Sequence, residues 1–135
     1  MTAHEPNEWQ TYVLNHLPRS INFTVFEMPS RAGKTTLIKM IRAELLERDD
    51  TVRIKELGTG QTTENFDGVD VVLVDDRRFT AEQIKLLGVL KKTCRVIVLF
   101  TDWRGKGEKL APLATQWHAV RMNEVGKPEM YQVKL

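Results

Sequence analysis

Gly33, Lys34 and Thr35 stand in one short stretch, between an apolar run and a helical pattern, and in that order they suit the chemistry of phosphate. The run Phe23, Val25, Phe26 has the β-branched and aromatic character of a strand, and Lys34, Thr35 and Thr36 open an amphipathic helix. A strand, a short loop and a helix beginning Gly-Lys-Thr form the layout of a phosphate-binding loop, whose pattern is G-x-x-x-x-G-K-[ST]. The loop Pro29, Ser30, Arg31, Ala32, Gly33 is then expected to wrap an anion, with loop N–H groups and the open helix N-terminus directed at it. Lys34 would lie along the β- and γ-phosphates, and the Thr35 hydroxyl would ligate Mg²⁺. Met28 occupies the position of the pattern's first glycine, so the chain must enter the loop there without one.

A second constellation lies some forty residues on. Val69 to Val74 is a nearly continuous apolar run that delivers two carboxylates, Asp75 and Asp76. An apolar strand ending in acid beside a phosphate loop is the Walker B arrangement. Asp75 is placed to hold Mg²⁺ through water opposite Thr35, and Asp76 to act as general base on an attacking hydroxyl or water. Either motif alone has an ordinary structural explanation, and together at this separation they point to ATP with Mg²⁺.

These side chains need elements to position them. In 135 residues, with 41% hydrophobic and 28% charged, the chain is read as one soluble domain with a core of its own. Twenty basic and eighteen acidic residues are interspersed, which argues against a dedicated polyanion-binding block. The single Cys94 rules out an internal disulfide and a cysteine-rich zinc site, and no apolar run is long enough to span a membrane. A cytoplasmic location with no membrane partner is the expectation. His4, His16 and His118 show no metal-ligand spacing.

In chain order, Met1 to Pro6 reads as a tail. Asn7 is a plausible cap for a short helix with Trp9, Tyr12, Val13 and Leu17 at helical spacing, stopped by Pro18. A strand over Asn22 to Glu27 leads into the phosphate loop. The following helix runs from Lys34 to about Arg48, with Leu37, Ile38, Ile41 and Leu45 inward and Lys39, Arg42, Glu44 and Glu47 largely wet. Thr51 to Leu57 reads as a second strand and Gly58 to Gly68 as a long loop, of the kind that is often functional or mobile. After the Asp75 strand, Thr80 to Gln83 is a capping box for a helix whose core face is Ile84, Leu87 and Leu90. Arg95 to Phe100 is a buried strand, 101–109 a polar loop, Pro112 to Gln116 a helical turn and Trp117 to Met122 a fifth strand. The tail from Asn123 has the makings of an edge strand over Met130 to Leu135. Strands alternating with helices give an α/β fold of the P-loop NTPase type, a mostly parallel central sheet of about five strands flanked by helices.

The motif order resembles that of the cellular-type (type II) thymidine kinases. Pro29-Ser-Arg-Ala-Gly-Lys-Thr-Thr36 resembles their phosphate loop, Val74-Asp-Asp-Arg-Arg-Phe79 their Asp-Glu-Ala-Gln-Phe segment, and Thr101-Asp-Trp-Arg-Gly105 their Asp-Phe-Arg-Gly segment. The resemblance covers roughly Phe23 to Asn123. It implies that Lys34 and Thr35 hold phosphate and metal with Asp75 behind the metal, that Asp76 stands where the family has its catalytic glutamate, and that Phe79 and Trp103 match aromatics lining the family's base pocket; Arg104, next to Trp103, offers a phosphate partner. Arg78 replaces the family's glutamine, and nothing here corresponds to the zinc-tethered lasso that closes over thymidine.

Three functions are compatible with this pattern. The first is a minimal ATP-binding protein that acts as a slow ATPase or as a phosphotransferase to another acceptor. The second is a nucleotide-dependent module that switches a surface for a protein or nucleic-acid partner. The third is a degenerate relic kept as inhibitor or scaffold. The basic residues Arg77, Arg78, Arg104, Lys106 and Lys109 would serve phosphates, a neighbouring subunit's nucleotide or a nucleic acid, and self-association is left open.

Overall fold

The computed structural model describes residues 7–28, 34–57, 65–75, 80–100 and 109–135, with the side chain of Lys34 outside that description. Three helices and six strands follow one another as α1 (Glu8–Asn15), β1 (Phe23–Glu27), α2 (Lys34–Arg48), β2 (Ile54–Leu57), β3 (Val71–Asp75), α3 (Ala81–Leu90), β4 (Arg95–Phe100), β5 (Gln116–Met122) and β6 (Pro128–Val133). The strands form one sheet in the order β2-β3-β4-β1-β5-β6. All neighbours are parallel except β5 and β6, which form an antiparallel hairpin.

The edge strand expected of the tail forms over Pro128–Val133, two residues earlier than Met130 to Leu135, as the tail turns back on β5 and adds a sixth strand to the five expected of the central sheet. Asn123 makes this turn. Its carbonyl accepts from Gly126 N, its own N–H reaches Lys127 O at 2.8 Å, and its side-chain oxygen accepts from the backbone N–H groups of Val125 and Lys127. Gly126 takes a φ of 77°, in the left-handed region where a Cβ would be strained.

Apolar residues alternate across the strands to build two cores, one on each face of the sheet. Phe26, Met28, Leu73, Ile97 and Leu99 pack beneath α1 and α2, against Val13, Leu37, Ile38, Ile41 and Leu45. Phe23, Val25, Val72, Val74, Val96, Val98 and Phe100 pack on the other face with Leu87 and Leu90 of α3 and with Trp117. Burial on both faces explains why β3 and β4 are almost wholly aliphatic. Ile84, expected in the core of α3, is only partly buried.

The helix ends follow from local chemistry. Asn7 caps α1 reciprocally with Gln10, at 2.9 and 3.0 Å. The helix stops at Asn15, short of Leu17, since Pro18 disfavours helical geometry in the residue before it. Thr80 Oγ1 accepts from Gln83 N and so starts α3. Among the described residues, no helix is long and apolar enough to cross a membrane.

Candidate phosphate-binding site

Because β1, β3, β4 and β5 run parallel, their carboxyl ends reach the same edge of the sheet, the edge at which α2 begins. Lys34 is the first residue of α2, and the first turn carries no acidic side chain. A helix start carries backbone N–H groups without intrahelical partners and the positive end of the helix dipole, which together favour an anion. Thr35 and Thr36 in that turn are exposed.

β4 lies between β1 and β3, so Asp75 is two strands from the loop strand, roughly 10 Å at ordinary strand spacing. α2 closes this gap by packing against β3. As a result Thr35 and the half-buried Asp75 line one cleft of about 380 Å³. Ile38, Leu57 and Leu73 give the cleft apolar walls, and Lys39 and Glu56 complete its polar lining. A threonine hydroxyl and an aspartate carboxylate are the hard oxygen donors that Mg²⁺ prefers, so the donor set fits that ion. Thr36 is not part of this lining.

Lys39 and Glu56 had no role in the sequence reading. Lys39 is four residues after Thr35, hence on the same helix face, which was the available signal. Glu56 gave none, because only the adjacency of β2 and β3 brings it to the cleft. Its Oε1 accepts from Arg42 Nη2 at 3.3 Å and Nε at 3.4 Å. Both side chains are 42–50% exposed, so this ion pair steers Glu56 more than it stabilises the fold.

The entry to the loop is well defined. Met28 is 2% exposed, packs in the core under α2, and donates its N–H to Phe100 O at 3.0 Å. The residue in place of the first glycine thus prolongs the bonding of β1 to β4 and fills the core. Immediately before it, Glu27 accepts from Trp117 Nε1 at 3.2 Å and from Arg121 Nη2 at 3.1 Å.

Of the residues singled out in the sequence, Thr35 and Asp75 are brought together. Pro29, Ser30, Arg31, Ala32 and Gly33 lie outside the described residues, as do Asp76, Phe79, Trp103 and Arg104. So do Arg77, Arg78, Lys106 and most of the long loop after β2. Among the described residues, no group of three or more His, Cys, Asp or Glu is arranged to hold a metal.

No family model matches this chain, and no curated protein does. Solved structures do match. Saccharomyces cerevisiae RIF2 superposes with a TM-score of 0.59 at 10% identity, over 85% of this chain and 54% of that one. The Legionella pneumophila ATPase DotB superposes with a TM-score of 0.52 at 12% identity, over 90% of this chain and 47% of that one. The chain spans about half the length of each protein. At these identities the likeness is one of fold, and it supports a P-loop NTPase-like architecture for this mixed α/β sheet.

Proposed function

We propose that the chain is a nucleotide-binding domain that takes ATP with Mg²⁺ at the start of α2 and hydrolyses it slowly or passes its phosphoryl group to an acceptor. The observation that carries this reading is the cleft that Thr35, in the first turn of α2, shares with Asp75 at the end of β3. Lys34 and the loop 29–33 hold the phosphate chain in this reading, and Thr35 with Asp75 holds the metal. Mg²⁺, when bound, would neutralise phosphate charge and polarise the transferred group.

The remaining work falls to side chains of the cleft. Lys39 adds a cation beside Thr35, and the apolar walls limit water. Glu56, in the cleft lining, is a candidate base beside Asp76, the candidate from the sequence. A water molecule suits this cleft as nucleophile, since it needs no base-binding surface and the apolar lining consists of Ile38, Leu57 and Leu73.

Calorimetry with a panel of nucleotides and Mg²⁺, run beside a phosphate-release assay, tests the proposal. ATP should bind, and Lys34→Ala should lose a charge-assisted contact of about 1.5–3 kcal/mol, weakening affinity at least roughly tenfold. Absence of nucleotide binding, or equal affinity in the mutant, would overturn it. Binding without phosphate release in the presence of candidate acceptors would instead favour a nucleotide-governed module for a protein or nucleic-acid partner.

A further inference from the structure

Glu27 is the last residue of β1, and the phosphate loop begins two residues later. Its register partner on β5 is Ala119, so Trp117 and Arg121 stand two residues to either side on the same face of the sheet. The carboxylate takes one hydrogen bond from each, Oε1 from the Trp117 indole at 3.2 Å and Oε2 from the Arg121 guanidinium at 3.1 Å. The Glu27 side chain is 12% exposed and Arg121 is 60% exposed, so the acid is largely withdrawn from water and its base is not.

For stability alone this is a poor arrangement. A largely buried carboxylate loses solvation that an ion pair recovers only in part, and an apolar side chain would serve the core better. For a neighbour of an anion site it is also unexpected, since a negative charge at the mouth of a phosphate loop repels phosphate. The placement makes sense if the carboxylate sets geometry. On the β4 side, Met28 N is bonded to Phe100 O at 3.0 Å. On the β5 side, Glu27 is the corresponding tie. Trp117 links the two sides, its ring lying edge-on to Phe100 with centroids 5.5 Å apart and an interplanar angle of 89°.

We propose that Glu27 is a positioning residue: held by Trp117 and Arg121, it fixes the end of β1 from which the phosphate loop springs, and thereby sets affinity for the phosphate chain of the nucleotide. This rests on the nucleotide-binding reading above. Arg121 neutralises the carboxylate, so that the geometric tie is made without a net repulsive charge at the loop mouth.

The sign of one substitution separates positioning from simple electrostatics. Glu27→Gln removes a negative charge beside an anion site, so Coulomb's law alone predicts tighter ATP binding. Positioning predicts the opposite, because the amide has one acceptor oxygen for two donors and sets its NH2 against either Trp117 or Arg121. ATP·Mg²⁺ affinity should be measured by calorimetry for wild type, Glu27→Gln, Glu27→Ala and Leu90→Ala, at a temperature where circular dichroism shows each folded. Leu90 is buried near the start of β4, at the opposite edge of the sheet, and serves as a control for general destabilisation.

The expected result is about tenfold weaker binding in both Glu27 variants and less than twofold change in Leu90→Ala. Faster exchange of the Met28 amide than in Leu90→Ala should accompany it. Tighter or unchanged binding in Glu27→Gln and Glu27→Ala, with a wild type that binds, would overturn the role of Glu27 alone. Failure of the wild type to bind nucleotide would overturn the functional reading and this role with it.

Discussion

The Tyr12 hydroxyl and Nδ1 of His118 are 2.9 Å apart, joining α1 to β5 across 106 residues of chain. The histidine is 2% exposed, stacks on Phe26 with ring centroids 5.2 Å apart, and its Nε2 has no hydrogen-bond partner among the described residues. His16 adds a third ring 4.9 Å from it. Burial holds the His118 pKa down to about 4 from 6.5, with repulsion from His16 as the lesser cause.

That depression gives stability a pH dependence of definite sign. Above pH 6.5 the imidazole is neutral both folded and unfolded, and its contribution is fully present. As pH falls from 6.5 towards 4, the unfolded chain takes up a proton that the folded one excludes. Stability should fall by up to about 1.4 kcal/mol per pH unit across that window, and the loss should level off below it. Urea unfolding of wild type and His118→Gln isolates this contribution from the carboxylates, which titrate in both. Parallel pH profiles for the two proteins would remove His118 as the cause.

Much of the scaffold was legible where local signals agreed. α2 has the expected limits, Lys34 to Arg48, because a glycine precedes it and Asp49-Asp50 follows, and its stripe of Leu37, Ile38, Ile41 and Leu45 is buried. β4 likewise keeps its limits from Arg95 to Phe100. β2 begins three residues later than the pattern suggested, although Val52 is buried ahead of it. β6 was harder to read because an edge strand buries little; only Met130 and Val133 pack against the cores. Glu56 and the Tyr12–His118 pair depend on which elements become neighbours in space, and sequence spacing carries no such information. Thr35 and Asp75, both singled out from the sequence, line one cleft.

Met28 permits a direct test of the departure from the loop pattern. Restoring the glycine removes a buried side chain from the core beneath α2 and loosens the backbone at the loop mouth. Met28→Gly should therefore cost about 3 kcal/mol or more of stability, from cavity formation and added chain entropy. ATP affinity should not rise. Tighter binding with unchanged stability would show that the methionine compromises the loop.

Asp75 and Thr35 together predict how the metal matters. Asp75→Asn keeps the side chain's shape and removes the charge that attracts a hard cation, while Thr35→Ala removes the hydroxyl. Both should reduce the ratio of ATP affinities measured with and without Mg²⁺ towards one. The metal-free affinity should change little in Thr35→Ala. An undiminished Mg²⁺ dependence in both variants would place the ion elsewhere.

The chemical step turns on which carboxylate can reach an attacking oxygen. A general base must lie within about 2.6–3.2 Å of the proton it takes, or one water away. Asp76 stands where the resembling kinases have glutamate and is one methylene shorter. Glu56 lines the cleft with Thr35 and Asp75, and Arg42 holds it there at 3.3 Å. A water molecule between Glu56 and the phosphate chain tolerates loose placement, whereas a nucleoside hydroxyl must be held in a fixed orientation. Slow ATP hydrolysis and no appreciable thymidine phosphorylation are therefore expected. Glu56→Gln should lower hydrolysis at least tenfold, within the range of general-base effects, and leave ATP affinity within twofold. Radiolabelled phosphate transfer to thymidine, scored beside free phosphate for wild type, Glu56→Gln, Asp76→Ala and Asp76→Glu, decides among the options. Loss of hydrolysis only in Asp76→Ala would return the base to Asp76. Robust labelling of thymidine by the wild type would restore the nucleoside kinase.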